Sequence, residues 1–512
     1  MFPGTYAVVT PDRPAVIMAA TGRVLTYGEL DDRSARLAAA LHALGLRRGD
    51  VIAMVSDNVA EAFEIYWAAL RSGLYVTAIN RHLKPTEVAY IVRDSGAAML
   101  FASAGVADLA EQVLDEVHEL SHRYAFGGEI SGYGSCDDLL AQAGPRLTDQ
   151  PRGSDLLYSS GTTGRPKGIK PPLPNGRVDE PGDPFVGLLA GVLGFTSEDV
   201  YLSPAPIYHA APLKYCGAVH ALGGTVVLME KFGAEEALAA IERYRVTATQ
   251  MVPTMFVRML QLPAEVRERY DVSSLRLALH AAAPCPPDVK DAMLEWWGPI
   301  VLEYYSATEM VGMTVMTAAE WQHKRGSVGK AVLGVLRICD DDGRELPAGE
   351  VGTIYFERDA APFVYHNDPE KTAAARHPDH DNWSTVGDIG YVDDDGYLFL
   401  TDRKSFMIIS GGVNIYPQEI ENVLTLHPAI FDVAAIGVPD PGMGEQVKVV
   451  VQLREGVTGS EELADELIGY VRDRLAHYKA PRSVDFVTDL PRTPTGKLVK
   501  RVLKARYEGT MA

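Results

Sequence analysis

The sequence has few cysteines, a deficit of positive charge and no long apolar run. Its 512 residues include four cysteines, Cys136, Cys216, Cys285 and Cys339, and none of them are spaced as CxxC. This spacing argues against a zinc site and a disulfide framework, so we expect a reducing cytoplasm. The 68 acidic residues outnumber the 48 basic ones and give a net charge of -20. Nucleic acid and anionic membrane are therefore disfavoured as partners, because the long-range field repels both.

The chain also lacks the features of an exported or membrane-spanning protein. No uninterrupted apolar stretch approaches the ~18 residues of a membrane helix, and no basic start followed by an apolar run stands at the N-terminus. We expect neither export nor a transmembrane segment. Apolar residues make up 47% of the chain and charged residues 23%, as in globular proteins. A chain of 512 residues exceeds the length served by one hydrophobic core, so two or more domains are expected.

Helical and strand patterns alternate along most of the chain. Residues 25–46 have leucines at helical spacing, and residues 50–56 then have the pattern of a short buried strand. The alternation continues to residue 103 and resumes between residues 223 and 284. It is typical of a helix-covered, largely parallel sheet and predicts the α/β fold class.

The pattern changes after about residue 400. Two strand patterns are followed by an amphipathic helix pattern over residues 461–478, and residues 489–504 combine prolines and a glycine with basic residues, which favours a loop. We place a domain boundary near residue 403. Residues 1–402 are predicted to form a large domain of helix-flanked, mostly parallel sheets, and residues 403–512 a small α+β domain joined to it by a hinge.

The segment from Tyr158 to Gly168, YSSGTTGRPKG, is predicted to bind phosphate. Its glycines let the backbone approach an anion, its hydroxyls donate hydrogen bonds, and Arg165 and Lys167 offset charge in an acidic protein. A polar surface loop is the alternative, but the order of residues is more particular than that. Lys167 follows Pro166 rather than a glycine, so the segment is not a Walker A loop and a P-loop NTPase is disfavoured.

This segment resembles the signature loop of the adenylate-forming superfamily, which includes acyl-CoA synthetases, luciferases and peptide-synthetase adenylation domains. Further motifs of that family follow in the family's order over residues 158–497. The resemblance implies a catalytic role for Thr163. It also implies that the nucleotide is bound by Ser159, Ser160, Gly161, Thr162, Thr163, Gly164 and Lys167.

Three motifs of the large domain extend the resemblance. Residues 206–212, PIYHAAP, resemble the acyl-pocket motif and place His209 beside the substrate carboxylate. The adenine is expected to lie against Ala282, Ala283 and Pro284 and to stack on Tyr305. In the same motif as Tyr305, Thr308 is expected to contact phosphate and Glu309 to hold Mg²⁺, a hard cation that prefers oxygen ligands. A lone histidine is more often structural and a lone glutamate more often solvated, but the ordered motifs favour the functional roles.

The remaining motifs lie on either side of the predicted boundary. Asp388 matches the family aspartate that accepts hydrogen bonds from ribose, and Arg403 is expected to contact ribose or phosphate. Ser405 falls at the hinge position, where relatives commonly have Asp or Lys, and Phe406 follows where an acid is frequent. Gly411 and Gly412 are expected to face the pantetheine of CoA.

Lys497, in the motif PRTPTGK, resembles the family lysine that reaches the reacting centre. A positioned ammonium there stabilises the negative charge that develops on the α-phosphate. Lys500 and Lys504, by contrast, are expected to be exposed lysines of the tail.

The resemblance implies an acid–thiol ligase that uses ATP, Mg²⁺ and coenzyme A. The acid is first joined to AMP with loss of pyrophosphate, and a thiol then displaces AMP while the small domain rotates between the two steps. The flanking residues resemble those of fatty-acid and bulky-acid CoA ligases, which points to an apolar acid. The resemblance allows a homodimer.

Other functions stay open at this point. The chain could mainly perform the thioesterification step in a biosynthetic pathway for bulky alicyclic or terpenoid acids, or load a carrier protein. A luciferase-like oxygenase shares the adenylation step. A non-catalytic nucleotide-binding protein is disfavoured because Lys497, Glu309, Thr163 and Lys167 are all present.

Overall fold

The computed structural model describes residues 2–159, 166–403, 406–410, 413–425, 427–492 and 498–508. Contacts divide the chain into two compact units. The first comprises Met1–Met251, Leu262–Ala278 and Pro362–Ala373, and the second comprises Val252–Gln261, Leu279–Ala361 and Ala374–Ala512. The domain boundary predicted near residue 403 stays a prediction.

The helices and strands of the described residues are numbered in chain order. The helices α1 to α17 span Pro3–Val9, Tyr27–Ala43, Ala62–Leu70, Pro85–Asp94, Ala107–Glu116, Cys136–Ala141, Pro184–Gly191, Ala210–Leu222, Ala234–Tyr244, Pro253–Leu260, Ala264–Arg267, Pro287–Trp297, Ala318–Trp321, Pro369–Ala374, Pro417–Leu424, Glu461–Arg472 and Lys500–Glu508. The strands β1 to β28 span Pro14–Met18, Val24–Thr26, Val51–Val55, Tyr75–Ile79, Ala97–Ser103, His122–Phe126, Gly134–Ser135, Ser154–Asp155, Leu157–Ser159, Lys167–Lys170, Val200–Ser203, Thr225–Leu228, Ala248–Met251, Leu277–His280, Val301–Ser306, Met313–Met316, Lys330–Leu333, Val335–Cys339, Gly352–Glu357, Val364–Tyr365, Trp383–Ser384, Asp388–Val392, Leu398–Arg403, Ile408–Ser410, Val413–Ile415, Ile430–Asp440, Gly444–Leu453 and Ser483–Val487.

The first unit contains the parallel sheets that the alternating pattern predicts. One sheet has the order β7-β6-β5-β3-β4-β8, and its neighbouring strands are parallel. A second set runs in the order β13-β11-β12-β1, also parallel, with β2 added antiparallel to β1. Strands β3 and β4 are buried along their whole length because helices cover them, which explains their continuous apolar runs.

Local signals set the helix boundaries in this unit. Helix α2 begins at a capping box, in which the Thr26 hydroxyl accepts from the Glu29 amide and the Glu29 carboxylate accepts from the Thr26 amide. Helix α8 ends at Gly223, whose φ of 86° lies in the left-handed region that favours glycine. These caps satisfy backbone groups that each helix end otherwise leaves unpaired.

The second unit is built on antiparallel pairing. Strands β15, β16 and β17 pair in that order, and another sheet has the order β18-β19-β22-β23 with β21 on β19. The C-terminal residues form a separate small α+β domain, as predicted, with the sheet β25-β24-β27-β26 and β28 parallel to β27. This domain has its own hydrophobic core, which includes Ile420, Val449 and Leu467.

Two sequence expectations about the C-terminal domain are wrong in part. The amphipathic helix predicted to reach residue 478 ends at Arg472. The loop predicted to reach residue 504 gives way to α17 at Lys500, because Leu503 is fully buried against Ile436 and Val450. In the described part of the chain, no helix combines the length and the apolar character needed to cross a membrane.

Candidate active site

The predicted phosphate loop connects two paired strands of the first unit. Ser159 at the end of β9 and Lys167 at the start of β10 are antiparallel partners, so the two described ends of the loop lie side by side. Ser160, Gly161, Thr162, Thr163 and Gly164 lie outside the described residues. Their roles stay predictions.

The two ends of this loop are anchored by side chains that the sequence analysis did not single out. The ammonium of Lys167 lies 5.0 Å from the ring centroid of Tyr365 on β20, which pairs with β10. The Tyr158 hydroxyl donates to Asp94 Oδ2 at 2.6 Å. Burial raises the pKa of Tyr158 above its ordinary value, and the neighbouring Asp94 raises it further. The hydroxyl therefore stays protonated and continues to donate.

His209 is the N-cap residue of α8 in the first unit and is partly buried. The loop before it is held by Asn58, whose Nδ2 donates to the carbonyls of Ala205 and Met229 and whose Oδ1 accepts from the Ile207 amide at 3.0 Å. Sequence reasoning missed Asn58. The sequence feature that could have pointed to Asn58 is its position three residues after the buried strand β3.

Tyr305 and Asp388, both predicted to bind the nucleoside, are in contact in the second unit. The Tyr305 hydroxyl donates to Asp388 Oδ2 at 2.7 Å. The Tyr305 ring stacks on Phe356 with centroids 6.3 Å apart. Gly312 makes room for this stack, because a Cβ on Gly312 would lie 1.9 Å from a Phe356 ring carbon. The backbone of Arg403 pairs with Asp388 in the β22–β23 register, but the Arg403 side chain is outside the description.

The predicted adenine loop follows β14 and lines a cavity together with Tyr305 and Asp388. Ala282 has a φ of 71°, in the left-handed region that costs a residue with a Cβ roughly 1–2 kcal/mol. The cavity has a volume of about 340 Å³. Its walls within the second unit include Ala282, Ala283, Pro284, Glu303, Tyr305, Trp321, Asp388, Phe406, Glu421 and Lys500. The structure thus brings three of the predicted nucleotide-binding segments to one cavity.

Thr308 and Glu309 stand in a turn directly after β15. The turn is closed by the Met310 amide, which donates to the Ala307 carbonyl at 2.9 Å, and the Arg358 guanidinium donates to the Met310 carbonyl at 3.1 Å. Among the residues described, no group of three or more His, Cys, Asp or Glu could hold a metal ion. A single carboxylate fits Mg²⁺, which commonly binds one or two carboxylates together with substrate phosphates and water. Glu309 would hold that ion, and the ion would neutralise phosphate charge.

The roles of the predicted catalytic lysine, the two CoA-facing glycines and the hinge serine stay predictions. Lys497, Gly411, Gly412 and Ser405 all lie outside the described residues. The described residues on either side of Lys497 are paired with each other: Arg492 pairs with Leu498, and the Val499 amide donates to the Pro491 carbonyl at 2.7 Å. Arg492 in turn binds Asp432, with 2.6 Å between Nη2 and Oδ1.

The expectation that Lys500 and Lys504 are exposed is wrong. Lys500 is 6% exposed, and its Nζ lies 2.8 Å from Glu421 Oε1 on α15. Lys504 is partly buried and lies 3.2 Å from Glu445. The helical spacing of residues 500, 503 and 504 puts the two lysines on the buried side with Leu503. The Phe406 ring, at a position that departs from the family pattern, lies 5.6 Å from the Lys500 ammonium.

Comparison with known proteins gives this site its context. Residues 5–361 match the family model of the AMP-binding enzymes, and residues 419–497 match that of the AMP-binding enzyme C-terminal domain. The chain belongs to the AMP-binding enzyme family. It is an AMP-forming acid–thiol ligase, and the cosubstrates of its family are ATP with Mg²⁺ and CoA.

Named relatives cover nearly the whole chain. A feruloyl-CoA synthase from Amycolatopsis is 36% identical over 95% of this chain and 94% of its own length. A long-chain-fatty-acid–CoA ligase of Mycobacterium tuberculosis is 31% identical over 99% of this chain and 97% of its own. A solved anthranilate CoA ligase in complex with anthranoyl-AMP is 27% identical, with a TM-score of 0.85 over 99% of this chain and 96% of that one.

Proposed function

We propose that this ligase activates an apolar carboxylic acid as its acyl-adenylate and then forms the CoA thioester from it. The observation that supports the proposal best is the cavity lined by Ala282–Pro284, Tyr305 and Asp388, which are the residues expected to enclose adenine and ribose. The apolar acid is supported by relatives named for feruloyl and long-chain fatty acids. The buried side chains of Ile207 and Tyr208 next to His209 suit the same kind of acid.

In the proposed first step, a carboxylate oxygen beside His209 attacks the α-phosphorus of ATP and pyrophosphate leaves. Thr163, Lys167 and Thr308 hold the phosphates, Glu309 holds Mg²⁺, and Asp388 with Arg403 holds the ribose. The ammonium of Lys497 stabilises the charge on the α-phosphate oxygens as it develops. In the second step, the CoA thiolate attacks the acyl carbonyl and AMP leaves.

We further propose that the C-terminal domain turns about Ser405 between these steps, which removes Lys497 and brings Gly411 and Gly412 to the pantetheine. Domain closure and rotation of this kind commonly completes a site for one step and opens it for the next. A cytoplasmic location and a homodimer stay predictions.

The half-reactions provide the test. Lys497→Ala should slow adenylation, read as acid-dependent pyrophosphate release, by roughly 10²-fold, as for loss of a transition-state electrostatic donor. Thioester formation from supplied acyl-adenylate should be nearly unchanged. Lys504→Ala is the matched control, because that lysine lies seven residues further along and contacts Glu445. Equal losses in both half-reactions of Lys497→Ala would remove the assigned role.

The substrate is identified by mass spectrometry of products from a panel of long-chain, aromatic and polycyclic acids with ATP, Mg²⁺ and CoA. Acyl-CoA made from a free apolar acid supports the proposal. Product made only from preformed adenylate would show instead a specialised thioesterification enzyme. Product on a carrier protein but not on CoA would show a carrier-loading ligase.

A further inference from the structure

A buried ion pair lies behind the predicted adenine loop. Lys290 on α12 and Glu303 on β15 approach to 2.7 Å between Nζ and Oε2. Lys290 is fully buried and Glu303 is 5% exposed. The Lys290 ammonium also lies 4.1 Å from the Trp321 ring centroid. Apolar residues of similar volume are often as stabilising as a buried ion pair, so stability alone does not explain why charges occupy this position.

Glu303 faces the same way as Tyr305. Side chains two residues apart on a strand point to the same side of the sheet, and both residues line the cavity together with Ala282–Pro284. Lys290 is absent from the described residues that line this cavity. Glu303 is therefore the acidic residue of β15 at the cavity, and Lys290, which is not among the described lining residues, pairs with its carboxylate.

We propose that Lys290 is a positioning residue for nucleotide binding, which keeps Glu303 ionised and directed into the cavity to accept a hydrogen bond from the amino group of the base. The proposal rests on the proposed function, because it takes this cavity as the base-binding part of the ATP site. An ionised carboxylate only accepts hydrogen bonds, so it suits a 6-amino purine and disfavours a 6-oxo purine, whose oxygen is also an acceptor.

The groups around Glu303 leave its charge dependent on Lys290. Burial raises the pKa of Glu303, and Lys290 acts in the opposite direction. His280 on β14 has its Nε2 3.7 Å from Glu303. Burial lowers the pKa of His280 well below its usual range and nearby Lys290 lowers it further, so this imidazole is neutral and supplies no positive charge.

The other ionisable groups near Glu303 do not replace Lys290. Burial raises the pKa of the Cys285 thiol, so it is uncharged. Asp291 on α12 is an acid, and its carboxylate accepts from Trp321 Nε1 at 2.6 Å and from Arg325 at 2.7 Å. Arg258 on α10 also lines the cavity, but Lys290 is the cation whose charge acts on Glu303.

The test uses the full-length Lys290→Met enzyme and measures ATP binding by titration calorimetry together with KM for ATP. Both are measured from about pH 6 to about pH 9, because a buried glutamate without a neighbouring cation titrates in that range. Near pH 7 we expect affinity for ATP to fall about ten- to a hundredfold, as for the loss of a hydrogen bond to a charged group, with a smaller change in kcat. Affinity should recover as the pH rises, because Glu303 then ionises. A merely structural role of Lys290 would not produce that recovery.

Glu303→Gln is the second variant. Glutamine has nearly the same size and shape as glutamate, and its amide oxygen can still accept a hydrogen bond from the Lys290 ammonium. It should bind ATP more weakly at every pH, without the pH dependence. Its selectivity for ATP over inosine triphosphate should fall at least several-fold, because the amide can donate to a 6-oxo group. Wild-type selectivity in Glu303→Gln, or pH-independent ATP affinity in Lys290→Met, would overturn the proposal.

Failure of the proposed function has a separate result. If the wild-type enzyme binds ATP but converts no acid of the panel, the function is wrong, and the two variants still report on the base-binding cavity through calorimetry. If the wild-type enzyme converts acids but the variants bind ATP as the wild type does, only the role of Lys290 and Glu303 is wrong.

Discussion

The hydrogen bond between Tyr305 and Asp388 allows a sharp test of the nucleoside site. Tyr305→Phe removes the hydroxyl and keeps the ring, so the stack on Phe356 is preserved. The lost bond is short, 2.7 Å, and its acceptor is a carboxylate that is 7% exposed. Water therefore has little room to replace the missing donor.

The expected magnitude follows from the charge on the acceptor. Hydrogen bonds to charged groups contribute about 1.5–3 kcal/mol. Asp388 also has other interactions that help to hold it in place. We therefore expect the loss of the Tyr305 hydroxyl to weaken ribose binding by an amount at the lower end of that range. A loss of about 1.4 kcal/mol corresponds to tenfold weaker binding. KM for ATP should therefore rise about tenfold in Tyr305→Phe, with kcat less affected.

The measurement is steady-state adenylation with varied ATP, together with direct ATP titration. Tyr397→Phe is the matched control, because it removes a hydroxyl that donates to a different carboxylate, Glu320, at 3.2 Å. If Tyr305→Phe and Tyr397→Phe change KM for ATP equally, or if neither changes it, then Asp388 does not depend on Tyr305 and the reasoning fails.

Two further predictions concern stability. Lys500→Met should lower the free energy of unfolding by about 3 kcal/mol, as when one partner of a buried ion pair is removed. Lys504→Met should lower it by less than about 1 kcal/mol, because the pair of Lys504 with Glu445 is partly exposed. Equal shifts of the two variants in urea unfolding would contradict this. Burial raises the pKa of Asp199, but bonds from Arg276, Thr247 and the Thr196 amide outweigh it and hold the pKa below the usual 3.8. The stabilisation by ionised Asp199 is therefore complete above the unfolded pKa of 3.8 and is lost as the pH falls through the lower folded pKa. As the pH is lowered from about 5, the urea midpoint should fall less in Asp199→Asn than in the wild type. Parallel curves of urea midpoint against pH would refute this prediction.

Much of the fold could be predicted because its signals are local. The leucine spacing of residues 25–46 predicts α2, and the apolar run at residues 50–56 predicts β3. Each of these elements is decided by which side of a few consecutive residues is apolar. The prediction failed at residues 500–504, where prolines and charges nearby favoured a loop although Leu503 is a core residue.

The candidate site was predictable only as a set of segments. The motifs identified Tyr305, Asp388 and Ala282–Pro284 singly, and the cavity they share came from the structure. Asn58 and Lys290 were missed because nothing in their immediate neighbours distinguishes them from ordinary loop and helix residues. Their partners lie on other elements of the fold. Lys290 pairs with Glu303 on β15, and Asn58 donates to carbonyls that are 147 and 171 residues further along the chain.

The sequence by itself determined the α/β class, the family resemblance and the list of residues expected to act on ATP, since periodicity and motif order are properties of neighbouring residues. The tertiary structure decided which side chains meet. The Tyr305 hydroxyl reaches a carboxylate 83 residues away because β15 and β22 present their side chains to one cavity. Lys290 and Lys500 lie buried beside carboxylates because α12 and α17 pack their side chains away from the surface. Burial and long-range pairing depend on the whole folded chain, so no local pattern could specify them.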